Sequence, residues 1–325
     1  MRFRIRWYIW LILLLAVGVF GACVWFFEND QPDLHDEQAE NVSIPIAMAL
    51  DDGYIYPTVV AITSMMENKK SDTVYKYYIM HPKEFSEASK SKLVSLAKKY
   101  DKCEINLIDM GEEYKDANDK GHITTPTYYR LSLPKVLPDV DKLIWIDGDT
   151  LTLGDLNEMY NIDMSNLYCR GFLDSTVNGT SGFEVDNDHC ICAGVMLLNL
   201  AELRKDDMFN KFKSFIEENN DRLVQHDQTV INVLCSDKMG ILPPKFGMFN
   251  CYENDYNIKQ FQSSLRAKEK YSVDELMDAM NNPVILHCVC KPWKSRETFR
   301  YDWWVKYAKM TDYYEDMQKE YSSVL

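Results

Sequence analysis

At 325 residues with 46% hydrophobic composition, the chain can bury one large core or two smaller ones, and no residue class is skewed enough for disorder or a fibrous protein. A formal net charge of −14 argues against a nucleic-acid partner, which would require clustered Lys and Arg. An acidic chain still accommodates a polyanionic nucleotide where a divalent metal bridges the two.

Trp7–Phe27 carries no charge and is long enough to cross roughly 30 Å of hydrocarbon as a helix. Arg2, Arg4 and Arg6 precede it; Glu28, Asp30 and Asp33 follow. That asymmetry predicts a cytoplasmic tail (1–6), a transmembrane signal-anchor (7–27) and a translocated remainder. A cleaved signal peptide is the competing reading, and Phe20-Gly21-Ala22-Cys23 faintly resembles a lipoprotein site, but Val24–Phe27 prolongs the apolar run past it. The expectation is a single-pass type II protein with its larger part in the Golgi or ER lumen, or on the extracytoplasmic face of a bacterial membrane. Of nine cysteines Cys23 lies in the span, leaving an even number outside it whose pairing spacing does not reveal. Asn41-Val42-Ser43 and Asn178-Gly179-Thr180 are glycosylation sequons that fit a lumenal surface.

Residues 28–43 are acidic and aperiodic, a stem leading to a domain over 44–325. Ile44–Leu50 reads as a buried strand and Tyr54–Glu67 as a helix with Pro57 in its first turn. Val74–Met80 is a second strand, Phe85–Lys99 a helix, and Cys103–Ile108 a third strand. Thr127–Leu133 reads as helical, and the strand Lys142–Ile146 runs into Asp147-Gly148-Asp149. Further on come a strand Ile191–Leu200, helices over Glu202–Glu218 and Asp227–Leu234, a late strand Pro283–Cys288, and an aromatic tail read as a packed terminal helix. This alternation predicts a mostly parallel, Rossmann-like sheet with helices on both faces. Ligands of such sheets bind beyond the carboxyl ends of the strands, so Asp51-Asp52 and Asp147-Gly148-Asp149 are expected to open onto one crevice.

Two carboxylates flanking a glycine at a strand end can hold a hard divalent cation while the backbone approaches a phosphate; alone, the same tripeptide also marks a turn. His287 follows the apolar Val284-Ile285-Leu286 and precedes Lys291-Pro292-Trp293. It either completes a metal's ligand set or is a core-edge histidine bonded to backbone, and Lys291 is placed to neutralise a phosphate.

The ordered set of motifs resembles glycosyltransferase family 8, retaining enzymes with a GT-A type fold. The motifs are Ala49-Leu50-Asp51-Asp52-Gly53-Tyr54, His122-Ile123 through Tyr128-Tyr129-Arg130-Leu131, and Leu143–Asp149. They continue with Ala193-Gly194-Val195-Met196-Leu197-Leu198-Asn199-Leu200, His226-Asp227-Gln228, and His287 with Lys291-Pro292-Trp293, so that the resemblance covers roughly 44–310. It implies that Asp147, Asp149 and His287 hold Mn²⁺ (or Mg²⁺) against the diphosphate of a UDP-sugar, with the Gly148 backbone close by. It further implies that Ala49 and Asp51 contact uridine with Tyr54 near the base, that Arg130 and Asp227 contact the sugar or hold groups that do, and that Lys291 meets the phosphates. Gln228 would lie beneath the anomeric carbon; an amide is a poor nucleophile, which favours attack and departure on one face over double displacement. The implied acceptor is a glycan, a lipid-linked glycan or a protein.

Two positions depart from the family. Cys192 stands where an Asn usually precedes Ala-Gly-Val, and a thiol cannot supply an amide's paired donor and acceptor. Cys288-Val289-Cys290 leaves a glycine-free spacing of four between His287 and Lys291, so the loop must reach the diphosphate by its own path. Cys190-x-Cys192 and Cys288-x-Cys290, with His189 and His287 adjacent, invite a zinc reading, against which stand buried thiols or a disulfide. The competing function is a catalytically silent, lectin-like or scaffolding member of the same fold.

Overall fold

The computed structural model describes residues 41–117, 125–174, 182–183, 190–264 and 270–325. The predicted span 7–27, His122-Ile123, the Asn178 sequon and His189 lie outside them; among the described residues no helix is long and apolar enough to cross a membrane.

The first strand, β1 (Val42–Ala49), pairs in parallel with β2 (Thr73–His81), and β2 with β3 (Cys103–Asp109). Val42 and Ser43 are already in register with Thr73 and Val74, so the strand begins inside the stretch predicted as stem. On its other side β1 pairs in parallel with β4 (Lys142–Ile146). Beyond β4 the sheet continues through β7 (Cys190–Asn199), β6 (Cys169–Asp174) and β8 (Met239–Ile241), in the order β3-β2-β1-β4-β7-β6-β8. β7 is antiparallel to both β4 and β6, whereas β6 and β8 are parallel. The sheet is thus mostly parallel, with β7 running against its neighbours. A small sheet of β5 (Thr150–Thr152), β10 (Ile285–His287) and β9 (Met248–Phe249) lies alongside.

Successive side chains of a strand face opposite sides. Ile44, Ile46 and Met48 of β1 and Ile144 and Ile146 of β4 pack into one core, while Ala47, Leu143 and Trp145 pack into another. Both faces are buried, which is why these strands read as unbroken apolar runs. The helix Ile55–Asn68, with Pro57 in its first turn, is buried along nearly its whole length. The predicted helix Tyr54–Glu67 therefore holds, preceded by a 3-10 turn over Asp52–Tyr54.

Three predicted elements differ. Thr127–Leu133 lies mostly in a 3-10 segment (Thr125–Ser132) that passes into the short helix Leu133–Val136, where Pro126 and Pro134 limit regular helix. The predicted helix Glu202–Glu218 is two helices, Leu200–Lys205 and Met208–Asn219, broken where Asp207 takes a left-handed φ of 51°. The terminal helix is also two, Tyr301–Met310 and Tyr314–Glu320, with Trp304 and Tyr307 of the first buried.

Candidate active site

The carboxyl edge of the parallel strands opens onto a cavity of about 420 Å³. Ala49, Asp51, Tyr54, Arg130, Asp147, Gly148, Asp149, Cys192, Asp227, Gln228, His287 and Lys291 all line it, so every predicted site residue converges here. Asp52 does not. The turn after β1 swings its carboxylate outward, where it accepts hydrogen bonds from the Ser86 amide (3.2 Å) and hydroxyl (2.7 Å) at the start of the helix Glu87–Lys99. β7 enters the site at its start because it runs against β4: the Asp147 amide donates to the Gly194 carbonyl at 2.8 Å, and Cys192 to Gly194 face the cavity.

Asp147, Asp149 and His287 each offer an atom lying within 4.8 Å of the others. Asp149 Oδ1 is buried without a hydrogen bond of proper geometry and lies 3.2 Å from His287 Nε2, while its other oxygen accepts from Lys291 Nζ. Two carboxylates and an imidazole around an orphaned buried oxygen suit a divalent cation such as Mn²⁺ or Mg²⁺. Gly194 keeps the space open, since a Cβ there would lie 2.2 Å from His287 Cε1 and 3.1 Å from Asp147 Oδ2.

Arg130 is buried and joins the two acidic halves of the site. It meets Asp147 Oδ1 at 3.1 Å and Asp227 Oδ2 at 2.9 Å, donates to the Ala193 carbonyl, and stacks 4.4 Å over the Trp145 ring. Burial would lower its pKa, but Asp147 and Asp227 raise it. Burial and repulsion from Asp149 push Asp147 up against the pull of Arg130. Burial also acts to raise Asp149, yet His287 and Lys291 hold it well below the usual carboxylate range. For His287 burial acts downward, and the Asp149 carboxylate reverses it, pushing the imidazole up to about 10. Before a cation arrives, the site thus neutralises its own carboxylates with protons and side-chain cations.

Lys291 reaches the cavity despite the short spacing. Asn250 grips Cys290 from both sides, donating to its carbonyl at 2.7 Å and accepting from its amide at 3.0 Å, which substitutes for a glycine-bearing turn. Trp293 then packs edge-on to Tyr54 at 6.0 Å and against Trp304 at 5.6 Å, tying the tail to the wall of the site.

The cysteines at 103, 169, 190, 192, 235, 251, 288 and 290 form no disulfide with one another, and no Cys-rich metal group occurs among the described residues, which leaves the zinc and disulfide readings without support there. Cys192 Sγ instead sits 3.8 Å from His287 Nδ1.

Some contacts were not legible in the sequence. Trp145 Nε1 donates to Asp147 Oδ1 at 2.7 Å, a pairing signalled only by their i, i+2 spacing on one strand face. Gln228 Oε1 accepts from the Ala193 amide at 3.0 Å, and its Nε2 donates to Asp174 Oδ2 at 2.7 Å. A carboxylate therefore stands beside Gln228; it arrives from the end of β6, which no local motif marks.

A mostly parallel α/β sheet with an Asp-x-Asp pair and a histidine at its carboxyl edge defines the GT-A class of glycosyltransferase. The sequence profile of glycosyl transferase family 8 matches residues 45–297, and the chain belongs to that family and carries its glycosyltransferase domain. General stress protein A of Bacillus subtilis is 27% identical over 204 residues, covering 58% of this chain and 66% of that protein. Lipopolysaccharide 1,2-glucosyltransferase of Escherichia coli is 25% identical over 292 residues, covering 86% of this chain and 78% of that protein. The chain spans less than two-thirds of the length of the first curated relatives it matches. In fold it is similar to the galactosyltransferase LgtC in complex with donor and acceptor sugar analogues (TM-score 0.68, 23% identity, 83% of this chain and 96% of that one).

Proposed function

We propose that this chain transfers a hexose or pentose from a UDP-sugar to a glycan, lipid-linked or protein acceptor, with retention at the anomeric carbon. The observation that carries the proposal is the convergence of Asp147, Asp149, His287 and Lys291 on one cavity, in which the buried Asp149 Oδ1 makes no hydrogen bond of proper geometry. A divalent cation held by Asp147, Asp149 and His287 supplies Lewis-acid stabilisation of the charge developing on the diphosphate. Lys291 adds a second positive charge, Ala49, Asp51 and Tyr54 face the nucleoside, and Arg130 braces Asp147 and Asp227 in fixed positions. Gln228, clamped between Ala193 and Asp174, presents an oriented amide rather than a nucleophile, which supports attack and departure on one face.

The test incubates the full chain with Mn²⁺ and UDP-glucose, UDP-galactose or UDP-xylose, following UDP release with and without saccharide acceptors. Release stimulated by acceptor and abolished by EDTA is expected. Undiminished release in excess EDTA contradicts the metal-assisted reading, and binding of UDP without release from any donor favours the silent, lectin-like alternative. The same reading keeps residues 7–27 as a membrane anchor with the catalytic part in a secretory lumen or outside a bacterial membrane. A mature N-terminus found after Ala22 would contradict that topology.

A further inference from the structure

A second cavity of about 530 Å³ opens at the other end of the small sheet. There the Leu153 amide donates to the carbonyl of Val284, just ahead of β10, at 2.7 Å; Val284 precedes His287 by three residues, so roughly 10 Å of extended chain separates the two cavities. They share no lining residue. Asn68, Asn281, Asn282, Trp303, Lys306 and Tyr307 contribute most of the polar and aromatic wall.

Much of the hydrogen-bonding capacity of this wall is unspent. Asn68 Nδ2 lies within hydrogen-bond reach of the Ser64 carbonyl (2.8 Å), the Thr152 carbonyl (3.0 Å) and the Tyr307 hydroxyl (2.7 Å), which fixes the amide plane and leaves Oδ1 without a donor among the described residues. Asn281 and Asn282 anchor their amide nitrogens to the Met277 carbonyl (2.9 Å) and Asp278 Oδ1 (3.0 Å), leaving their carbonyl oxygens likewise without a donor among the described residues. Lys306 has no carboxylate partner among the described residues and lies 4.9 Å over the Tyr307 ring. The Arg300 guanidinium stacks 3.6 Å from the Trp303 ring centroid, and the indole N–H has no acceptor among the described residues. Pre-oriented amide acceptors, two unspent donors and aromatic surface around a cavity of ligand size match the alternating hydroxyls and apolar C–H faces of a pyranose ring.

From this wall we infer a secondary carbohydrate-binding site that takes a pyranose unit of a glycan, apart from the catalytic cavity. It would hold a glycan to the enzyme between or during transfers.

The test uses saturation-transfer NMR on the full chain with methyl β-glucoside and methyl β-galactoside as probes, the catalytic cavity being filled by excess UDP and Mg²⁺. Transfer to at least one glycoside should survive UDP, and its affinity should fall about tenfold in Trp303→Ala and severalfold in Asn282→Ala, the losses expected for an aromatic contact and for a hydrogen bond. Trp303 is half-buried, so Asn282→Ala and Lys306→Ala, both at exposed positions, carry the test if Trp303→Ala fails to fold. Absence of transfer, its loss on adding UDP, or equal affinity in the correctly folded variants overturns the inference. The readout needs no turnover, so failure of sugar transfer and failure of this site are separable.

Discussion

At the scale of single residues, the side chains pressed against His287 invite the first tests. Cys192 lies 3.8 Å from the imidazole Nδ1 and lines the cavity where the sugar of a donor would rest. Replacing it with Asn adds a buried donor and acceptor, which discriminate between epimers according to which hydroxyl can satisfy them. Cys192→Asn should therefore change the ratio of turnover on UDP-glucose and UDP-galactose while leaving UDP affinity within about threefold, because a thiol and an amide differ most toward the sugar's hydroxyls. Identical ratios in the two proteins would mean that residue 192 does not touch the sugar. Gly194 is the stricter position: any Cβ there meets His287 Cε1 at 2.2 Å. Gly194→Ala must displace the imidazole, and a misplacement of about 1 Å in a reacting constellation costs on the order of a hundredfold in kcat. Measured kcat within a few-fold of the parent, at unchanged thermal stability, would show that His287 is not needed in its present place.

At the scale of elements, an ion pair sits at the break between the helices Leu200–Lys205 and Met208–Asn219. Lys238 and the Tyr168 hydroxyl (2.6 Å) both bond the Asp206 carboxylate, and together they lower its pKa from the ordinary 3.8 to about 2. A carboxylate whose folded pKa is depressed stabilises the fold above its unfolded pKa, and loses that contribution as pH falls through the folded one. The melting-temperature gap between the parent and Asp206→Asn should be full near pH 5 and shrink between about pH 4 and pH 2. A gap that stays constant over that window would refute the assignment. Periodicity alone had joined these helices, because apolar spacing records which face is buried and not where the backbone turns left-handed. The same blindness applies to strand direction. Ile191–Leu200 was legible as a strand from its apolar run and its motif put Cys192 at the site, but only pairing with β4 shows that the strand runs backward and so presents its first residues there. Local motifs did carry the whole predicted site, since Asp147-Gly148-Asp149, Asp227-Gln228 and His287 each sit at the end of a recognisable element. Asp174 was invisible because its partner Gln228 is 54 residues away and no sequence pattern joins them.

At the scale of the whole molecule, the net charge of −14 opposes an anionic donor before any contact forms. The cavity repeats that balance locally: Asp51, Asp147, Asp149 and Asp227 outnumber Arg130, Lys291 and the imidazolium of His287. All three cations already have anionic partners, Arg130 in Asp147 and Asp227, and Lys291 and His287 in Asp149. A diphosphate entering without a metal would face this acidic wall and compete with Asp149 for Lys291. A divalent ion at Asp147, Asp149 and His287 reverses the local sign, satisfies the orphaned Asp149 oxygen and leaves Lys291 available to the phosphates. The dissociation constant of UDP, measured by calorimetry on the full chain, should thus weaken at least tenfold when Mn²⁺ is replaced by EDTA, a difference of about 1.4 kcal/mol. Asp149→Asn should bind UDP nearly alike in both conditions, because it removes a ligand and at the same time releases Lys291. Equal affinity of the parent chain with and without Mn²⁺ would mean that the acidic wall does not oppose the nucleotide, and that the carboxylates serve the fold rather than a metal.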